Sequence, residues 1–199
     1  MNSEAPGFNN VTLYSGSTQV FPTSVWTALD IGNVGSTAGT SSYNTGTGVF
    51  TIQSAGVGYE SGFHYLHQTM TGDGAWVVRV NSVTGASTAR MGLMMRTGLG
   101  VNDPFASITM SGTKVFSITR ATSGGVTSTS GVNAVLPRWL RVVKTGNSYA
   151  MAHSSDGVTW TSRGVVTLPA SGTVYVGLAG CSGSTTSTAT GSLDQLDGP

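Results

Sequence analysis

The side chains able to do chemistry are few: eight carboxylates, three histidines and one cysteine in 199 residues. Glycoside hydrolysis usually needs two carboxyl groups facing one another across a bond. The acids are Glu4, Asp30, Glu60, Asp73, Asp103, Asp156, Asp194 and Asp197. Asp73, Asp103 and Asp156 stand in turn contexts, and no E-x-D-x-E strand pattern occurs, so a hydrolytic pair is not expected. His64 and His67 are three apart in an apparent strand, which sends them to opposite faces and keeps them from sharing a metal. His153 stands alone. No G-x-S-x-G, P-loop or G-x-G-x-x-G pattern is present. The expectation is a protein without catalytic residues, metal or cofactor. A structural calcium remains the one allowance, with Asp30, Asn33, Asn102 and Asp103 as candidate oxygen ligands whose simpler use is turn and cap hydrogen bonding.

The segment "SSDGVTW", Ser154–Trp160, looks like a fragment of a sialidase-type Asp box. An Asp box has one more residue between aspartate and glycine and recurs along the chain. Here the residues read instead as a tight hairpin turn at Asp156-Gly157, with Trp160 on the returning strand. Rings and guanidiniums offer a second kind of chemistry, since sugars stack their C–H faces on exposed aromatics. By alternation Met91, Leu93 and Met95 share one face, leaving Arg90, Met94 and Arg96 on the other. The Arg-bearing polar face, with Tyr59 and His64 nearby, is the best groove the sequence offers, so Tyr59, His64, Arg90 and Arg96 are the ligand-binding candidates.

The elements that must position these groups are strands. Charged residues are 9% of the chain and 29 residues are glycine, a composition poor in helix formers. Short runs of alternating polarity recur at Val49–Ile52, Phe63–Met70, Trp76–Val80, Arg90–Arg96, Phe105–Met110, Lys114–Thr119, Trp139–Lys144, Tyr149–His153, Val165–Leu168 and Val174–Ala179. No window holds a 3.6-residue apolar period. Turn signals every 8–12 residues predict an all-β, two-sheet antiparallel jelly-roll sandwich over residues 26–199. Segments 32–48, 123–131 and 182–191 read as Gly/Ser/Thr loops. Residues 1–25 read as an extended arm that could reach a neighbouring subunit through Phe8, Val11, Leu13, Val20 and Phe21.

A formal net charge of +1, dispersed along the chain, argues against nucleic acid as a partner. No stretch approaches the roughly 18 apolar residues of a membrane span, and the first residues lack the pattern of a signal peptide. Cys181 cannot form an internal disulfide, and its apolar flank suggests a strand thiol.

Five segments together resemble a concanavalin A-like (laminin-G and lectin-type) β-sandwich family found in bacterial extracellular and phage-encoded proteins. They are Asp30–Gly35, Phe63–Val80, Ala89–Leu99, Trp139–Thr161 and Val174–Ala179. The resemblance implies a jelly roll that is usually non-catalytic and serves adhesion, glycan contact or display. The shared motifs are scaffold, so it carries over no binding residue, and the closing segment "GSLDQLDGP" is less apolar than the family pattern. Two functions follow as expectations. One is a structural or display protein of a larger assembly, such as a virion decoration, head-fibre or tail component, partnered through the arm. The other is a secreted carbohydrate-binding module that contacts surface glycans. The corresponding locations are the virion or the extracellular space.

Overall fold

The computed structural model describes residues 26–199. Among these residues there is no helix, and fourteen strands are formed: β1 (Thr27–Gly32), β2 (Thr40–Asn44), β3 (Val49–Gly56), β4 (Gly62–Thr71), β5 (Gly74–Thr84), β6 (Arg90–Arg96), β7 (Phe105–Met110), β8 (Lys114–Arg120), β9 (Ser128–Asn133), β10 (Arg138–Thr145), β11 (Ser148–Ser154), β12 (Thr161–Thr167), β13 (Thr173–Cys181) and β14 (Ser184–Asp197). The predicted arm at 1–25 and its anchors Phe8, Val11, Leu13, Val20 and Phe21 lie outside the described residues.

The strands pair antiparallel in two seven-stranded sheets, ordered β1-β4-β13-β6-β7-β8-β9 and β12-β11-β10-β5-β14-β3-β2. We call them sheet A and sheet B. The alternation read in the sequence fixes which side chains meet between them. Leu66 and Met70 on β4, Met91, Leu93 and Met95 on β6, Ile108 on β7, and Val174, Val176 and Leu178 on β13 pack from sheet A. Phe50 and Ile52 on β3, Trp76, Val78 and Val80 on β5, and Leu140 and Val142 on β10 oppose them from sheet B, in one buried cluster. Each fully buried Leu, Ile or Val stabilises the sandwich by about 1.5–3 kcal/mol, so this layer dominates folding. At one end Trp26 sets its ring edge-on to Trp76 at 5.9 Å and tilted against Phe50 at 6.1 Å.

All ten predicted runs fall on strands, with Leu168 one residue past the end of β12. Three segments read as loops are corrected. Residues 32–48 contain β2, 123–131 run into β9, and 182–191 run into β14. The closing segment pairs with both β3 and β5 in the middle of sheet B. Serine and threonine signalled loop there, but the backbone ladder on both sides satisfies that strand irrespective of side chain. Cys181 is fully buried and burial pushes its thiol up to about 11.

Candidate functional site

Of Tyr59, His64, Arg90 and Arg96, predicted to line one open polar groove, Arg90, Arg96 and Tyr59 do lie together on the outer face of sheet A, but that face is closed. His64 lies on the opposite face, bonded to Asp30 and Ser41. Tyr59, Phe63, Tyr65, Met94, Phe105, Ile118 and Cys181 make a second buried cluster there. Tyr59 and Arg96 are 0% exposed. The Tyr59 hydroxyl lies 3.1 and 3.2 Å from the carbonyl oxygens of Arg90 and Ala179, and burial raises its pKa well above the usual tyrosine value.

The arginines explain how a face with so many cations became an interior. Arg96 Nε donates to Gly98 O at 2.6 Å and Nη2 to Gly100 O at 2.5 Å, binding the loop at 97–104 to the sheet. Arg120 donates to the carbonyls of Gly125, Val101 and Glu60, tying three loops together. Their planes cover Phe63 at 5.3 Å and Phe105 at 5.6 Å. Arg90 lies 4.3 Å over Phe116. A buried guanidinium is tolerated where its donors find acceptors. Loop carbonyls supply them for Arg96 and Arg120, whereas Arg90 Nε is buried without an acceptor and rests on the Phe116 ring.

His64 and His67 take opposite faces, as their spacing requires. His64 points into the space between the sheets, where Asp30 and Ser41 bond it. His67 faces outward, stacked on Tyr65 at 5.0 Å and edge-on to Tyr175 at 5.4 Å. It is 5% exposed with neither ring nitrogen bonded, and burial, followed by the charge of Arg96, lowers its pKa to about 4.

The possible calcium ligands accept hydrogen bonds from backbone N–H groups. Asp30 accepts from Gly39 N, Asn33 from Gly35 N and Asp103 from Gly100 N. Asn102 gives its carbonyl to Gly124 N. Among the described residues no group of three or more His, Cys, Asp or Glu is placed to hold a metal ion.

The open site is on the outer face of sheet B. A cleft of about 610 Å³ is lined by Tyr43, Gly48, Phe50, Val77, Trp139, Arg141, Gly157, Trp160, Gln195, Leu196 and Asp197. Strand register builds it. On β10, Leu140 and Val142 turn to the core, so Trp139 and Arg141 must turn outward. Trp139 stands opposite Arg79 on β5, with Asp194 of β14 beyond. Arg79 is held by Asp194 through two bonds of 2.8 and 2.7 Å, which raises the arginine and lowers the carboxylate. Arg141 differs. Its guanidinium lies 4.2 Å over Trp160, and its buried Nε has no acceptor.

The Ser154–Trp160 segment makes one wall of the cleft. It is not the two-residue turn expected, for β11 ends at Ser154 and β12 begins at Thr161, leaving Trp160 in the loop. Ser154 Oγ donates to Asp156 Oδ1 at 2.7 Å and accepts from Asp156 N and Gly157 N. Asp156 Oδ1 accepts from Val158 N and Thr159 N, each at 2.8 Å. These bonds, the serine's first, hold the carboxyl far below the ordinary range. Gly157 takes φ +77°, and a Cβ there would sit 3.0 Å from the Trp139 ring. The loop can lie this close to the indole because glycine has no side chain.

The opposite wall carries a strained residue. Gln195 has φ +51°, the sole non-glycine with positive φ among the described residues. It sits where the β14–β5 register shifts between Asp194 and Asp197. A left-handed non-glycine costs about 1–2 kcal/mol and such residues gather at functional sites. Sequence reasoning nominated none of Trp139, Arg141, Trp160 or Gln195. The alternation in Trp139–Lys144 contained the signal for the first two, whereas the bulge at Gln195 left no trace in residue type.

No protein-family model and no curated protein sequence matches the chain. Solved structures do. A functionally unknown protein from Saccharomyces cerevisiae is 19% identical with a TM-score of 0.65, covering 88% of this chain and 96% of its own. The family 7 alginate lyase A1-II′ is 12% identical with a TM-score of 0.59, covering 88% and 95%. The carbohydrate-binding module CBM66 from Bacillus subtilis is 11% identical with a TM-score of 0.56, covering 94% and 99%. At these identities the likeness is one of fold, and it corrects one expectation. The scarcity of acid pairs pointed away from an enzyme, but the same sandwich carries an alginate lyase, so the architecture does not exclude catalysis. The chain has the all-β, two-sheet jelly-roll architecture that an alginate lyase and a carbohydrate-binding module also have.

Proposed function

We propose that this β-sandwich binds carbohydrate, and that the cleft on the outer face of sheet B receives it. The observation that carries the reading is the pairing of two half-exposed tryptophans, Trp139 and Trp160, with an arginine whose Nε lacks an acceptor, in one cleft of about 610 Å³. That volume falls within the range of roughly 300–1,000 Å³ usual for small-ligand sites. Indole rings offer faces and edges to the apolar C–H patches of a pyranose. Arg141, Gln195 and Asp197 supply the donors and acceptors that hydroxyl groups need. The strained backbone at Gln195 marks the same place. The carbohydrate-binding module among the structural neighbours agrees with the reading, although it contributes no residue to it.

The assembly role is not carried forward, because its contacts were placed on residues 1–25. The test is a glycan array followed by calorimetry on the saccharides that bind. Trp160→Ala and Arg141→Ala should each weaken binding at least tenfold, while Arg90→Ala on the covered face should leave it unchanged. Equal loss from all three, or an array without signal, would sink the proposal.

A further inference from the structure

Asp30, Ser41 and His64 lie far apart in any sequence motif and meet at one edge of the sandwich. We infer that they form a nucleophilic triad, with Ser41 as an acyl-accepting serine acting on small carboxylic esters; this goes beyond the carbohydrate reading and does not depend on it.

The geometry is that of a relay. Asp30 on β1 stands directly opposite His64 on β4. Its Oδ1 lies 2.7 Å from His64 Nδ1, and Ser41 Oγ lies 2.8 Å from Nε2. A carboxylate can only accept, so the proton of the neutral ring sits on Nδ1, and Nε2 presents its lone pair to the serine hydroxyl. This is the arrangement in which a base activates a nucleophile and a third group orients the base. The histidine side chain is 3% exposed and the aspartate 21%, while Ser41 is half-buried.

The surroundings hold the histidine in place. Gly39 N donates to both Asp30 oxygens, at 3.2 and 3.0 Å, and a Cβ at Gly39 would come within 2.3 Å of the His64 ring. Gly39 is therefore a positioning residue. β2 is the last described strand of sheet B, so every second N–H along it is outside the ladder.

In the proposed reaction Ser41 Oγ bonds to the ester carbonyl carbon and its proton moves to His64 Nε2. The bond from that carbon to the alcohol oxygen breaks, and the departing alkoxide takes the proton. Water then adds to the acyl-serine, gives its proton to Nε2, and the serine leaves with that proton as the carboxylic acid is released.

The probe is a biotinylated fluorophosphonate, whose P–F bond breaks as Oγ–P forms. Incubated with wild-type protein and followed by peptide mass spectrometry, it should give one adduct, on Ser41. The adduct should be absent in Ser41→Ala and form at least a hundredfold more slowly in Asp30→Asn and Gly39→Ala, with p-nitrophenyl acetate hydrolysis falling in parallel. The wild-type result stands even if a variant misfolds. No adduct at concentrations that label an ordinary serine hydrolase, or equal labelling in wild type and Asp30→Asn, would reduce the three residues to a bridge between the sheets.

Discussion

The two outer faces of the sandwich begin with the same ingredients and end differently. Sheet A sets Arg90, Arg96 and Arg120 over phenylalanine rings, and sheet B sets Arg79 and Arg141 over tryptophans. On sheet A the donors of Arg96 and Arg120 end on loop carbonyls and the loops come down as a lid, which leaves Arg90, whose Nε finds no acceptor, resting on Phe116 beneath the same face. On sheet B only Arg79 is neutralised, by Asp194, and the Ser154–Trp160 loop stands up as a wall instead of lying across the strands. A cation above a ring is therefore a clamp or a contact point according to what its remaining donors find. Residue type does not decide which.

The comparison can be attacked from either side, beginning where the effect should be largest. Arg96→Ala removes a fully buried charge and leaves the carbonyls of Gly98 and Gly100 without it. With two carbonyls left unsatisfied and the packing on Phe63 lost, it should cost about 2–4 kcal/mol in urea unfolding, and a loss below about 1 kcal/mol would mean the lid holds without its clamp. His67 tests the same face through pH. Its pKa is about 4 when folded and near the ordinary histidine value of about 6.5 when unfolded. The unfolded chain thus takes up the proton first as pH drops. The stability that the neutral ring contributes is full above about pH 6.5 and is lost as pH falls towards 4, on the order of 2–3 kcal/mol. His67→Phe should flatten that limb of the curve.

Effects at the cleft should be smaller in stability and larger in binding. Trp160→Ala should reduce saccharide affinity at least tenfold, about 1.4 kcal/mol, with little change in Tm. Gln195→Gly should stabilise the fold by up to about 1 kcal/mol by relieving the left-handed backbone, and should weaken binding by loosening the wall. A Gln195→Gly protein that is both less stable and equally tight would remove strain as a mark of the site.

What the sequence made legible was the packing layer. Period-two burial at Trp76–Val80 and Arg90–Arg96 named the inward residues correctly, because one slip of register would turn every apolar side chain to water. It also placed Arg90 and Arg96 on a common face. Whether that face was covered depended on glycine-rich loops at 57–61 and 97–104, whose path is set by long-range donors such as Arg120 to Glu60 O. Local pattern carries no record of such a bond. β14 was hidden for a related reason: Ser, Thr and Gly read as loop, and only pairing on both edges makes them strand. The Asp30–His64–Ser41 contact likewise needs two sheets to be stacked before it exists.

The claim that most depends on these arguments is that ligand meets sheet B and leaves sheet A alone. The four tryptophans divide cleanly, Trp139 and Trp160 in the cleft, Trp26 and Trp76 packed together at the core. Titrating 15N-labelled protein with the tightest saccharide from the array and following the indole N–H resonances should move the signals of Trp139 and Trp160 and leave those of Trp26 and Trp76 in place. Saturable binding that shifts neither cleft indole, with changes instead at Tyr175 and His67, would contradict the account.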